Sequence, residues 1–358
     1  MDSDKLSGTY YTPPDAIQFM IEYLNREQQD FSNVLEPSAG DGRFLPLLQG
    51  CAEHITAIEL FQEKVDNMNR EYAGDSCAII KDNFLDFAVS TSERYSLIIG
   101  NPPYINKKLM KEDDIEKARN ICVEAGLKET IMQNMWLAFV VGACRLLQFG
   151  GSIFFVLPME FLQVQYAEKL RGHLEKLFNI IHIIVFKKAM FPEIEQDVCL
   201  VYLTNNDCTE RHIHYEVYED CRKKIPIQEN SIRWNKPLKK WSNAVLSDDD
   251  ISLLKNAMNR YSQIKNMGEI APGIVTGGNR YFILPEEKVK EYECREFVLP
   301  IVQKASYISK DTIEISEEVV NEIARGNKPV YLLNLSQEKD MQRLPIRLQG
   351  YLNWAGKQ

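Results

Sequence analysis

Asn101-Pro102-Pro103-Tyr104 follows the apolar run Tyr95-Ser-Leu-Ile-Ile-Gly100 and sets an amide, two ring-locked residues and an aromatic face side by side. Successive prolines fix their φ angles, remove two backbone donors and restrict the residue before each, so Asn101 continues neither a helix nor a regular ladder. The tetrad is expected to be a rigid loop. The Asn101 side-chain oxygen and a neighbouring carbonyl can accept hydrogen bonds from an exocyclic amino group, and Tyr104 offers a ring on which a base can stack. Alone, the same residues also suit a strand-ending turn.

A second group lies upstream. Glu36-Pro37-Ser38-Ala39-Gly40-Asp41-Gly42 follows the apolar segment Asn33-Val-Leu-Glu36 and puts small residues where a chain turns from sheet to helix. Doubly wound proteins bind ligands at that carboxyl edge. The next strand-like run, Thr56-Ala-Ile-Glu59, ends in a carboxylate 19 residues past Gly40, placed to accept hydrogen bonds from ribose hydroxyls. The turn lacks the full GxGxxG pattern and opens on an acidic residue that would repel a pyrophosphate. Glu36 and Asp41 favour a cationic adenosyl cofactor, with a sulfonium and an ammonium, over a dinucleotide.

These groups need a parallel sheet to bring them together. Over residues 1–204, short β-branched runs alternate with amphipathic segments, the pattern of a βαβ array and a doubly wound α/β domain. Further strands are expected at Cys77–Ile80, Ser152–Leu157, Ile180–Phe186 and Val198–Leu203, with a strong helix over Ile131–Gln148. Residues 105–130 are charged and weakly patterned, suiting either a mobile covering segment or a plain helical insertion. From about residue 205 the rhythm becomes irregular, which predicts a second domain over 205–358. There Gly268–Asn279 is glycine-rich, suiting a close backbone approach or a cluster of turns.

Length and composition fit two domains with an ample core. The net charge is −9, and it is uneven: residues 1–204 carry −10 and residues 205–358 carry +1. An acidic chain is not a simple nucleic-acid-coating protein. Within the second part, Arg222, Lys223, Lys224, Arg233, Lys236, Lys239 and Lys240 interleave with Trp234 and Trp241, a pattern that suits either a phosphate backbone or a solvated linker. The eight cysteines include no CxxC pair, which argues against a zinc site and a disulfide framework. No metal-ligand set is visible. The apolar stretches are too short or interrupted for a bilayer and no signal peptide is seen, so a cytoplasmic protein without a membrane partner is expected.

Taken together, the motifs resemble the N6-adenine DNA methyltransferases of restriction-modification systems, in the gamma-ordered, TaqI-like class. The resemblance covers about residues 8–204 and runs in the family's order through Gly8-Thr-Tyr-Tyr-Thr-Pro-Pro14, Leu35–Gly42, Ala57-Ile-Glu-Leu60, Asp82-Asn-Phe-Leu85, Asn101–Tyr104 and Phe191-Pro192. It implies a Rossmann-like, mostly parallel methyltransferase sheet followed by a C-terminal mixed α/β target-recognition domain. The implied cofactor is S-adenosyl-L-methionine and the implied partner double-stranded DNA, in a bacterial or archaeal cell. By this resemblance Tyr11, Thr12 and Pro13 cover the methionine moiety, Glu36, Ala39 and Gly40 line it, Glu59 holds the ribose, and Leu60, Phe84 and Phe139 enclose the adenine. Asn101 and the Pro102 carbonyl hold the target amino group, while Tyr104 and Phe191 take the two faces of a flipped adenine.

The sequence departs from the family at one point. The family usually has Asp before the Phe of its third element, where the carboxylate binds the cofactor's amino group, and here Asn83 stands there with Asp82 before it. Either residue can accept that bond. RNA adenine and protein glutamine are the alternative methyl acceptors for an Asn-Pro-Pro-Tyr loop, and a non-catalytic specificity subunit is the alternative outside enzymes. Ile274–Phe282 resembles the start of the family's recognition domains, which commonly run further than this chain, so a truncated domain is expected. Specificity would then involve a further recognition chain or a restriction endonuclease as partner.

Overall fold

Val34-Leu35, Ala57-Ile58 and Leu97-Ile98-Ile99 are buried on both faces, as strands covered by helices on either side require. In the computed structural model of the protein they belong to β1 (Asn33–Glu36), β2 (His54–Glu59) and β4 (Tyr95–Gly100), and β3 (Cys77–Lys81) and β5 (Leu147–Pro158) run parallel with them. The structure describes residues 11–128, 132–191, 197–205, 210–246, 248–268, 276, 278–309, 312, 314–336, 338 and 340–356. β6 (Ile180–Phe186), β7 (Val198–Thr204), β8 (His212–Tyr218) and β9 (Gln228–Arg233) extend the same sheet. Its order is β3-β2-β1-β4-β5-β7-β6-β8-β9, with β7 antiparallel to both neighbours and β9 antiparallel to β8. The expected doubly wound α/β sheet is present.

Among the described residues the α-helices of this unit are α1 (Pro14–Arg26), α2 (Leu45–Leu48), α3 (Gln62–Tyr72), α4 (Phe84–Ser90), α5 (Glu112–Glu124), α6 (Met135–Leu146), α7 (Glu168–Leu177) and α8 (Asp248–Arg260). Proline early in α1 costs no internal hydrogen bond, and Ile17, Met20 and Leu24 give it a buried stripe. α6 is apolar almost all round, as a helix buried between sheet and neighbouring helices must be. Much of the charged stretch after Tyr104 is α5, a helix that seats Ala118, Ile121 and Cys122 in the core.

The domain boundary differs from the expected 204/205. Two compact units comprise Met1–Arg260 and Tyr261–Gln358. β8 and β9 stay with the first unit because β8 pairs in parallel with β6 from Ile180↔His212 to Phe186↔Tyr218. The Tyr23 hydroxyl of α1 donates to Glu216 of β8 at 2.6 Å and lies 2.8 Å from Nδ1 of His182 on β6, tying helix and strands together.

Trp234 and Trp241 are likewise not interleaved with the basic side chains on an open surface. Both are buried, and Trp241 Nε1 donates to Glu175 at 2.7 Å. Arg171 fixes the same stretch from beneath by donating to the Phe161, Val164 and Lys239 carbonyls. Of the basic residues, Lys224 pairs with Glu22 and Arg233 with Glu210, which fits the solvated-face reading.

In the second unit, β10 (Ile283–Leu284), β12 (Tyr331–Leu333) and β11 (Val298–Pro300) form an antiparallel sheet. It packs with helices through Leu284, Val289, Val320, Ile323 and Leu348, a mixed α/β arrangement. Most of Gly268–Asn279 lies outside the described residues, as do Ile274, Val275 and Gly277 of the resembling segment. Among the described residues no helix is long and apolar enough to cross a membrane, and no group of His, Cys, Asp and Glu is placed to hold a metal ion.

Candidate active site

The strand order reverses between β1 and β4, so the carboxyl ends of these neighbours diverge into two loops, the crevice where α/β sheets bind ligands. From β1 comes Pro37–Gly42 and from β4 comes Asn101–Tyr104. Ser38 Oγ donates to the Asn101 backbone carbonyl at 3.1 Å, and Ala39 N donates to Ile58 O at 2.9 Å, so the first turn is fastened to both β4 and β2. An open cleft runs over these ends.

Glycine is required in this turn. Gly40 has φ +61°, and a Cβ there would meet the Tyr11 ring at 3.5 Å; Gly42 has φ +80°, and its Cβ would lie 2.9 Å from Met68 Cγ. Tyr11 therefore lies against the turn, with the Arg43 guanidinium 4.8 Å and the Lys64 ammonium 5.2 Å from its ring centroid.

Three of the carboxylates that line the cleft, Glu36, Asp41 and Glu59, come from the ends of β1 and β2 and the turn between β1 and α2. Glu36 is 1% exposed, and its Oε2 has no hydrogen-bond partner among the described residues. Burial pushes its carboxyl well above the usual carboxylate range, with Asp41 and Glu59 adding to the shift. Thr12 Oγ1, also buried, has no partner among the described residues either. Such a site gains from a bound cation that also donates hydrogen bonds. Glu59 instead accepts from Gly40 N at 2.9 Å and Phe61 N at 2.8 Å, which fixes both carboxylate oxygens and leaves further lone pairs toward the cleft.

Leu60, Phe84 and Phe139 line the cleft together, as their sequence positions predict. The Phe84 and Phe139 rings pack 4.6 Å apart by centroid. Phe84 and Phe139 are also core residues, whereas Leu60 is 49% exposed and gives the slot its open wall. Asp82 and Asn83 both reach the cleft. Asn83 Oδ1 caps α4 by accepting from Leu85 N at 3.0 Å, and its Nδ2 donates to Asp114 at 2.9 Å. Asp82 Oδ1 accepts from Asn83 N at 2.7 Å.

Asn101 and Pro102 line the cleft. Tyr104 is half-buried beside them, and its hydroxyl donates to the Val156 carbonyl at 3.0 Å, which holds the ring still. Three expected members do not line the cleft: Tyr104, which packs against the core, Pro13 and Phe191. Pro13 is the N-cap residue just before α1. Phe191, at 7% exposure, packs in the core beside Met190, because this part of the loop anchors itself against the sheet; it presents no face to the cleft. Pro192 lies outside the described residues.

Sequence reading missed Phe61, Lys64 and Asp114, which also line the cleft. Phe61, 49% exposed directly after Leu60, carried a signal in its position at the end of β2. Asp114 carried none, because it comes from α5, a charged segment with no motif.

Comparison with known proteins places this geometry in context. Residues 48–191 match the family model of the Eco57I restriction-modification methylase, and residues 238–358 match the C-terminal domain of type II methyltransferase M.Eco57I. Type II methyltransferase M.AccI of Acinetobacter calcoaceticus is 23% identical across 95% of this chain and 64% of its own. M.BsuBI of Bacillus subtilis is 26% identical across 50% of this chain and 39% of its own. The chain thus spans less than two thirds of these relatives. Among solved structures, the DrdV–DNA complex aligns with a TM-score of 0.60 at 18% identity, over 94% of this chain and 42% of that one. The Type IIL restriction-modification enzyme MmeI in complex with DNA gives 0.58 at 15%, over 99% and 55%. At these identities the structural likeness speaks for the fold.

Proposed function

Since the chain belongs to the DNA methyltransferases of restriction-modification systems, we propose that it transfers a methyl group from S-adenosyl-L-methionine to N6 of an adenine flipped out of double-stranded DNA. The observation that carries this reading is the fastening of Asn101-Pro-Pro-Tyr104 to the cofactor turn through Ser38, which holds an amino-group acceptor in the lining of the cleft.

Bound S-adenosyl-L-methionine supplies an electrophilic methyl group. Glu36 and Thr12 are the buried acceptors suited to its amino acid ammonium, Glu59 to its ribose hydroxyls, and Leu60, Phe84 and Phe139 to its base. Tyr11 covers the methionine side from its place over Gly40.

An adenine amino group is inaccessible in a stacked duplex, so the base must leave the helix at a cost of a few kcal/mol. Stacking on Tyr104 offsets about 1–3 kcal/mol of that. Phe191 acts by anchoring the loop. The N6 lone pair is delocalised into the ring; hydrogen bonds from N6–H to the Asn101 side chain and the Pro102 carbonyl localise it and stabilise the positive charge that develops on nitrogen. The remainder is in-line positioning, and no prior proton abstraction is needed. The region matched by the C-terminal domain model then selects the DNA sequence, with an endonuclease or another recognition chain as its partner in a bacterial or archaeal cytoplasm.

A tritiated methyl-transfer assay on DNA, structured RNA and protein tests the reading. Label is expected in DNA adenine only. Asn101→Ala should abolish transfer while S-adenosyl-L-methionine still binds, and full activity in that variant would sink the mechanism.

A further inference from the structure

The slot formed by Leu60, Phe84 and Phe139 is bordered by three polar side chains: Asp82, Asn83 and Asp114. A nucleobase amino group placed there needs an acceptor, since a buried donor left unpaired is costly. The acceptors are not equally available. Asn83 is used at both ends: its oxygen caps α4 at Leu85 N and its nitrogen donates to Asp114. Reversing its amide would set NH2 against the Leu85 N–H and oxygen against a carboxylate, so its orientation is fixed. Asp82 has Oδ1 on the Asn83 N–H and its Oδ2 without a hydrogen-bond partner among the described residues, so what sets Asp114 apart from Asp82 is how firmly Asp114 is held. Asp114 has Oδ1 on Asn83, while Oδ2 has no hydrogen-bond partner among the described residues.

Asp114 is also held rigidly. Lys117, one turn further along α5, bridges Asp113 at 2.7 Å and Asp86 of α4 at 2.8 Å, so the first turns of both helices are joined at two points. Asparagine at position 83 fits this arrangement, because a carboxylate there would face the Asp114 carboxylate directly.

We propose that Asp114 is the group that reads the amino group of the cofactor's adenine, with Asn83 as its positioning residue. The assignment rests on the S-adenosyl-L-methionine reading above. It explains how a chain with Asn83 in its third motif retains a carboxylate for that base: the charge comes from α5, 31 residues later.

Calorimetric binding of S-adenosylhomocysteine and S-inosylhomocysteine, which carries a keto oxygen in place of the amino group, provides the test. The wild-type chain is expected to prefer the adenosyl ligand by about 10-fold or more, because a keto oxygen faces the Asp114 carboxylate. Asp114→Asn must turn its oxygen to the Asn83 NH2 and so presents an NH2 to the slot, so the preference for the adenosyl ligand should be lost or reversed. Asp82→Asn should keep the wild-type preference. An unchanged preference in Asp114→Asn, or its loss in Asp82→Asn instead, overturns the assignment. A wild-type chain that binds both ligands equally overturns it while leaving the cofactor reading intact. One that binds neither overturns both. Thermal melts of each variant confirm that the comparison is made on folded protein.

Discussion

Glu59→Gln separates the two tasks that the structure gives one carboxylate. In the wild-type chain its oxygens accept from Gly40 N and Phe61 N, and its remaining lone pairs face the cleft at 7% exposure. Glutamine keeps one acceptor oxygen and puts an NH2 where the other stood, so one backbone N–H loses its partner. That costs about 1–3 kcal/mol of stability. In a unit of this size each kcal/mol lowers the melting temperature by about 2–4 °C. The cofactor loses a charge-assisted hydrogen bond from one ribose hydroxyl, about 1.5–3 kcal/mol, which corresponds to about 10- to 150-fold in affinity. Calorimetry with S-adenosylhomocysteine and a melt on the same sample read both effects. An affinity within twofold of wild type, with the expected drop in melting temperature, would show that Glu59 only braces the turn and would refute its ribose role.

Glu36→Gln tests the buried acid. A carboxyl whose folded pKa is raised holds its proton to higher pH than in the unfolded chain, so its contribution to stability is full below the ordinary carboxylate pKa and is lost as pH rises through the folded value. Without ligand, Glu36→Gln should therefore melt above wild type at neutral pH, with the gap closing as pH falls toward about 4, while its affinity for S-adenosyl-L-methionine falls. A lower neutral-pH melting temperature would contradict this. Tyr104→Phe keeps the ring and loses the hydroxyl that bonds Val156, so methyl transfer to DNA should drop by about tenfold at most; Tyr104→Ala should lose more, through weaker DNA stacking, and equal rates for the two would remove the ring's role. Gly42→Ala meets both a left-handed φ and Met68, so an urea titration should show a loss of about 2–4 kcal/mol, and a loss under 1 kcal/mol would mean that the turn yields.

Much of the site was legible because its devices are local. A Pro-Pro loop, a turn needing positive φ at Gly40 and an acidic strand end each act over a few residues, and a mostly parallel sheet follows from the βαβ rhythm. β8 and β9 were not legible. His212–Tyr218 alternates polar and apolar residues, and Gln228–Arg233 is a mostly exposed edge strand, so neither shows an apolar run; they join the sheet through pairing with β6 and with each other. The same non-local packing moved the domain boundary to 260/261 and buried Trp234 and Trp241, whose neighbours in sequence are charged.

Residue types and spacing alone require that an amide-bearing loop and a glycine turn leave strands of a parallel sheet, since proline, glycine and β-branched residues restrict the backbone wherever they stand. Packing between distant segments made those strands neighbours and chose which side chains fill the space between the loops. It sent Phe191 into the core, brought Asp114 across from α5 to Asn83, and left Glu36 buried beside two other acids. Those outcomes depend on contacts between residues far apart in the chain, where burial and hydrogen-bond satisfaction, rather than local preference, set the lowest free energy.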